Sequence, residues 1–485
     1  MRVLLCLIAL GCATKPALAP QKFTPQPAEL APANRVRAAE LAPALAELET
    51  TLRDAFARKK YPSLAVGVVT DEGLVWFRGF GARDVAAGDP VTKETVFRIG
   101  SITKVFTGFA LLQLRDAGKL SLDEPAAQIL PDLGQVLYPS RDSPRITIRH
   151  LVTHSSGLPR LAGDHQVDYT RQDHAPSEAE LLQAIWGIPL EYAPGTKQEY
   201  SNLAMALAGV VVARASGIPW REWVLTRILT PLGMKDTMFD RAEIPAARLA
   251  TGYTRVGDEW KPIQYHWRLG AMEAAGILYS NVEDLARFVQ FELSAWPPRD
   301  GADEGPLKRA SVRESQQRVF GEFGVNWAVE KDVVWHNGGT EAYRSMIVMQ
   351  PRRGIGVIAL TACDEDADDL ARDALEKLVP TGVAKLNPAL QEAFDRFLVF
   401  FHHPDAAGAE RTFSQKFRDA LPNLLEIAQR MLGQFGTCKM DRVIRADDTE
   451  AVLLLACEKK NARLSIKIGA QPPHLIDGAL IKPAD

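Results

Sequence analysis

Strand-like runs stand at both ends of a long stretch whose middle reads as helix, and this placement restricts the fold more than any other feature. Residues 64–70 and 74–80 are rich in Val, Leu and Phe and flank Asp71-Glu72-Gly73, the pattern of a hairpin. Far along the chain, residues 325–330, 333–336, 345–350 and 355–361 read as further strands, with Arg352-Arg353-Gly354 as a turn. A helix precedes the first strand, with Leu41, Leu45, Leu48, Leu52 and Ala55 at helical spacing. Strands gathered from both ends around helices predict an α+β domain over residues 35–380: one antiparallel sheet closed by both termini, with a helical insert. After Pro380 the pattern changes. Residues 390–401, 409–420 and 424–432 read as amphipathic helices followed by strands, so residues 386–485 are expected to form a separate small α+β domain.

The N-terminus is set apart from the fold. Arg2 followed by the apolar residues 3–10 is a secretory signal, too short to cross a bilayer as a helix. It ends in one of two ways. Ala17-Leu18-Ala19 fits small-x-small cleavage and gives a signal peptide over residues 1–19. Ala9-Leu10-Gly11-Cys12 resembles a bacterial lipoprotein box, in which Cys12 is lipidated and becomes the new N-terminus. Residues 20–34, rich in Pro and Ala, suit a tether. Both readings export the chain to the periplasm or cell envelope, the second with a lipid anchor to a membrane.

Export changes how the five cysteines read, because Cys6 leaves with the signal and Cys12 takes lipid in one reading. Cys438 and Cys457 flank two strand-like runs, and a hairpin turning at Asp447-Asp448 would set them opposite one another. In an oxidising compartment that predicts a disulfide; a register slip of one residue would leave two unpaired thiols. The 57 Lys plus Arg against 60 Asp plus Glu give a net charge of −3, with no basic block. Nucleic acid is excluded as a partner on that balance, and a small molecule or peptide is expected as substrate.

Three places concentrate chemistry. In the run 97–104, Phe-Arg-Ile-Gly-Ser-Ile-Thr-Lys, Ser101 and Lys104 lie three apart and share a helix face. A serine hydroxyl needs a base, and a lysine depressed by burial and nearby cations can serve. Taken alone, Ser-x-x-Lys arises readily by chance. Next, Glu199-Tyr200-Ser201-Asn202 leads into an apolar helix; Tyr200 is placed to relay a proton and Asn202 to bond a substrate carbonyl. The repeat Tyr279-Ser280-Asn281 reads instead as structural, with Ser280 capping a helix that has acids in its first turn. Last, Trp335-His336-Asn337-Gly338-Gly339 ends a strand with a polar group and two glycines, where a substrate can approach the backbone closely. Read by itself, that stretch is better explained as a hairpin turn with an exposed His.

Taken in order and spacing, these motifs resemble the serine β-lactamase and penicillin-binding-protein superfamily, specifically its class C β-lactamase and D-alanyl-D-alanine carboxypeptidase branch. Residues 146–159, Pro231-Leu232-Gly233-Met234 and residues 276–288 match as well, so the likeness covers roughly the whole of 36–380. The resemblance implies a β-lactamase/transpeptidase-like fold and a serine hydrolase of amides, β-lactams or esters that needs no metal or cofactor. It implies Ser101 as the acylated nucleophile, with Lys104 and Tyr200 as a coupled proton-transferring pair. Asn202 would hold the acyl side chain, His336 with Gly338 would form the third motif, and the amides of Ser101 and Gly339 would make the oxyanion hole. His336 replaces the Lys usual in true β-lactamases, and Asn337 and Gly339 replace hydroxyl residues that many relatives use to grip a carboxylate. These departures favour peptidase or esterase chemistry over β-lactam hydrolysis. The alternative is a penicillin- or peptidoglycan-binding protein with little turnover. No Gly-x-Ser-x-Gly elbow and no His-Glu-x-x-His occurs. His150 and His154, four apart, read as packing or hydrogen-bonding residues.

Overall fold

A computed structural model describes residues 35–161, 174–365, 367–379, 386–446 and 449–483. The signal, the tether, Cys12 and the turn at Asp447-Asp448 lie outside the described residues. The chain divides into two compact units, with the boundary between Leu378 and Val379.

In the first unit, β1 (Ser63–Thr70), β2 (Gly73–Asp84) and β3 (Asp89–Pro90) come from the N-terminal side. From the far end come β4 (Ala328–Glu330), β5 (Val333–Gly339), β6 (Arg344–Gln350) and β7 (Ile355–Thr361). They make one seven-stranded antiparallel sheet in the order β3-β2-β1-β7-β6-β5-β4. The closure by both ends is the β1–β7 pairing, which runs from Leu64 opposite Thr361 to Thr70 opposite Ile355. Every residue of β1 and β7 is buried, as a strand covered on both faces requires. The expected strand from 325 begins only at Ala328; Asn326 has φ +59, which breaks the extended run.

Helices fill the rest. α1 (Ala42–Lys59) buries Leu48, Leu52 and Ala55. α2 (Thr103–Asp116) and α3 (Asn202–Ser216) pack together in the insert, and the apolar run of α3 is buried core from Leu203 to Val212. α4 (Val282–Ser294) lies against β1 at Gly67, where a Cβ would collide with Val282. α5 (Asp368–Leu378) completes the unit against β6 and β7. The cap of α4 corrects the sequence reading by one residue. Asn281 accepts from the Asp284 amide at 2.8 Å, while the Ser280 hydroxyl lies 2.8 Å from that of Thr237.

Glu292 on α4 is a buried carboxyl that accepts from Gln316 Nε2 at 2.6 Å, and Gln316 in turn accepts from Trp296 Nε1 at 2.7 Å. Burial pushes it up from 4.5 to about 8. The folded protein therefore holds a proton that the unfolded chain releases between these values. Its contribution to stability is complete below the unfolded value and is lost as pH rises through the folded one, by at most ~1.4 kcal/mol per pH unit. Glu292→Gln keeps the shape without the titration. Relative to this variant, wild-type stability in urea should fall between about pH 5 and pH 8; parallel pH curves would show that Glu292 is ionised in the fold.

The second unit has its own core, including Leu390, Phe394, Phe413, Phe435, Leu453 and Leu464. Its helices are α6 (Pro388–His402), α7 (Ala406–Thr412), α8 (Gln415–Ala420) and α9 (Leu424–Phe435). The single helix expected over 409–420 is two helices. Ser414 is extended, caps α8 by accepting from the Phe417 amide, and donates its own amide to Ile476. β8 (Cys438–Ala446), β9 (Glu450–Cys457), β10 (Ala462–Ile468) and β11 (Ile476–Pro483) form an antiparallel sheet in chain order. Cys438 stands opposite Cys457 across β8 and β9, and the two are joined as a disulfide.

Candidate active site

Ser101 stands on a single 3₁₀ turn, Gly100–Ile102, that runs directly into α2. Three residues per turn stack positions 101 and 104. Lys104 Nζ lies 3.0 Å from Ser101 Oγ and donates to the Ala275 carbonyl at 2.6 Å. Lys104 is fully buried and pairs with no carboxylate among the described residues. Burial first, and the nearby Arg160 charge second, hold its amine well below the usual lysine range. A neutral amine beside a hydroxyl is a base for it.

The second motif joins the first around Tyr200. Lys104 Nζ sits 4.9 Å from the centroid of the Tyr200 ring. Ser201 caps α3, accepting from the Ala204 amide at 2.9 Å and donating to the Pro159 carbonyl at 2.7 Å. Asn202, the first residue of α3, lines a narrow cleft with Ser101, Trp267, Met272, Gly339 and Thr340.

β5 delivers the third motif, and its alternation splits the motif between two faces. His336 is buried, while Asn337 turns the other way and donates to Asp368 at 2.5 Å. Gly338 passes over the first motif so closely that a Cβ would collide with the Ile99 carbonyl; this glycine is needed for close packing of the two motifs. A Cβ built on Gly100, where φ is +50, would come within 3.0 Å of the Gly339 amide nitrogen, which places that amide beside the serine turn. Burial, followed by the Lys104 charge, pushes His336 down to about 3. Its Nδ1 lies 2.6 Å from the Asn337 carbonyl, so the proton is on Nδ1 and Nε2 is a buried acceptor with no partner among the described residues. At this position the chain offers a dipole and no charge.

The structure brings Ser101, Lys104, Tyr200, Asn202, His336, Gly338 and Gly339 to one site and adds residues that the sequence reading did not place there. His154 is buried in a left-handed conformation, φ +56, with its ring 4.4 Å from that of Tyr200. Its Nδ1 accepts from the Ser201 amide at 3.2 Å and its carbonyl from the Glu199 amide at 2.9 Å, so it grips the second motif on both sides of Tyr200. Burial holds this ring unprotonated. His150 instead closes a capping box with Thr147. Thr340 contributes a buried hydroxyl without a partner among the described residues. Arg98 and Glu341 form a buried ion pair of 2.7 Å that ties the first motif to the third. Only the partner requirement of a charge inside an apolar run could have pointed to Arg98 in the sequence.

A serine and a buried lysine at the start of a helix, facing a sheet strand that ends in His-x-Gly, define the serine β-lactamase and penicillin-binding-protein superfamily. The family model described as Beta-lactamase matches residues 46–380, and the protein belongs to that family. Protein flp of Staphylococcus aureus is 25% identical over 328 residues, which cover 65% of this chain and 62% of flp, so the chain spans under two thirds of that relative. Putative beta-lactamase-like 1 of Homo sapiens is 28% identical over 365 residues, covering 72% of this chain and 70% of the relative. Two solved structures share the fold. The octameric penicillin-binding protein homologue of Pyrococcus abyssi has a TM-score of 0.60 at 22% identity, over 90% of this chain and all of that one, a coverage of 100%. The beta-lactamase/D-alanine carboxypeptidase of Pseudomonas syringae has a TM-score of 0.56 at 20% identity, over 70% of this chain and 99% of that one.

Proposed function

We propose that the protein is an exported serine hydrolase that works through an acyl-enzyme on an amide, ester or β-lactam, of D-amino-acid peptidase or esterase type. The observation that carries this reading is the buried Lys104 amine, 3.0 Å from Ser101 Oγ and without a carboxylate partner among the described residues. Ser101 Oγ bonds to the substrate carbonyl carbon while its proton passes to Lys104. The amides of Ser101 and Gly339 receive the developing oxyanion. The proton then moves by way of Tyr200 to the departing nitrogen or oxygen as the scissile bond breaks. Water then attacks the carbonyl carbon of the Ser101 ester and gives a proton to the Lys104–Tyr200 pair. That pair passes it to Ser101 Oγ as the ester bond breaks, so that the acid leaves with both the serine and the base restored. Asn202 and the Thr340 hydroxyl hold the acyl portion. An uncharged His336 and an Asn337 engaged by Asp368 favour peptides and esters over β-lactams. The Cys438–Cys457 disulfide supports export, and the leader residues make Cys12 the candidate lipid attachment point.

Intact mass of the protein followed in time with a penicillin and with an activated ester tests this reading beside Ser101→Ala. An acyl mass should appear only with Ser101 and decay over repeated turnovers. An adduct that persists would make the protein a binder of such ligands. An adduct on the alanine variant would remove Ser101 as nucleophile.

A further inference from the structure

Three nitrogen-bearing side chains crowd the Tyr200 ring: the His154 ring at 4.4 Å, Lys104 Nζ at 4.9 Å and the Arg160 guanidinium carbon at 5.3 Å. The first two are fully buried, whereas Arg160 is exposed to solvent. Its backbone is fixed to the second motif. The Arg160 carbonyl accepts from the amides of Asn202 at 3.0 Å and Leu203 at 3.2 Å, and the preceding Pro159 carbonyl accepts from Ser201 Oγ.

The carboxylates around the site are engaged elsewhere. Glu199 pairs with Lys197 at 2.6 Å and Glu341 with Arg98 at 2.7 Å; among the described residues none pairs with Arg160. The third motif contributes a buried, uncharged histidine and lacks a hydroxyl at Asn337 and Gly339. Arg160 is thus a cation whose guanidinium lies over the Tyr200 ring, open to solvent and paired with no carboxylate among the described residues.

Resting on the acyl-enzyme reading above, we propose that Arg160 is a specificity-determining residue that receives a carboxylate of the substrate. The substrate class is then an amide or ester that bears an anionic group within reach of the Tyr200 side of the site. A guanidinium offers paired N–H donors to such a group, and the attraction strengthens as the bound substrate excludes water.

Two chromogenic esters test this, matched in length and leaving group, one ending in a carboxylate and the other in its carboxamide. Both are assayed with the full chain, with Arg160→Gln and with Arg160→Lys. The wild type should favour the carboxylate ester in kcat/KM by roughly tenfold or more, chiefly through KM, and less so in high salt. In Arg160→Gln the ratio should fall toward one, and Arg160→Lys should restore part of it. Glutamine keeps both backbone bonds of position 160, so a general loosening of the site would slow both esters and leave their ratio in place. A ratio near one in the wild type, or one that Arg160→Gln leaves unchanged, overturns the proposal while the acyl-enzyme reading stands. No acyl adduct and no turnover of either ester overturns both.

Discussion

Lys104→Met is expected to lower kcat/KM for an activated ester by about 10³-fold or more while leaving the protein at least as stable at neutral pH. The two effects part company because the proposed mechanism needs the amine as a base, whereas the fold has to bury it. It is 0% exposed and pairs with no carboxylate among the described residues. Burial and Arg160 keep it well below its ordinary value of 10.5. The unfolded chain therefore binds a proton that the folded one does not, from the lowered value up to 10.5. Stability rises with pH across that window, and the deficit is complete below it. Methionine matches the lysine stem, removes this deficit, and leaves the Ala275 carbonyl short of one donor, at a cost of about 1–3 kcal/mol. Urea unfolding at pH 7 and pH 9 beside the ester assay reads all of this, and the Met variant should lose the pH slope that Lys104 contributes. Arginine cannot shed its proton, so Lys104→Arg should fail to fold stably. A Met variant that still acylates at Ser101 would transfer the role of base to another group.

Much of this site is legible along the chain because its three motifs are local patterns. Ser101 and Lys104 are three apart, Tyr200 and Asn202 two apart, and His336 ends a strand whose alternation is plain. The central strands of the sheet are equally legible, since β1 and β7 are unbroken apolar runs bounded by turn residues. What escapes is settled by distant contacts or by competition at a single residue. Ser280 looked like the cap because a serine before acids is a good one, yet its hydroxyl is taken by Thr237, and Asn281 reaches the Asp284 amide. The pattern over 409–420 stays apolar at helical spacing, but Ser414 pairs with Ile476 across the unit and divides it. His154 reads as one of an i, i+4 pair; its meeting with Ser201 spans 47 positions and depends on a left-handed backbone. The charge on His336 is likewise a matter of burial, which no spacing encodes.

The second large effect is expected at Arg98, where Arg98→Met should destabilise the protein by about 3–5 kcal/mol. The pair is nearly dry, with side-chain exposures of 1% for Arg98 and 4% for Glu341. Arg98 Nη1 donates to both carboxylate oxygens, at 2.7 and 3.0 Å. Burial pushes Glu341 up, but His266 and Arg98 pull it down harder, and the carboxyl ends below its ordinary value. Removing the arginine leaves that carboxylate inside the protein without its main counterion, a loss that lost packing alone would not produce. Arg98→Met with Glu341→Leu removes both charges, so the double variant should recover part of the loss, and a cycle of single and double variants should show strong coupling. The pair also has a task in the cleft. Arg98 Nη2 donates to the Trp267 carbonyl at 3.0 Å, and the Trp267 amide donates to Glu341 at 3.1 Å, so both backbone groups of a cleft-lining residue hang on one ion pair. The double variant, though folded, should therefore bind substrate more weakly, with KM raised more than kcat is lowered. Additive destabilisation in the cycle would mean that the two side chains act independently; recovery of stability with an unchanged KM would mean that the Trp267 wall is held by other contacts.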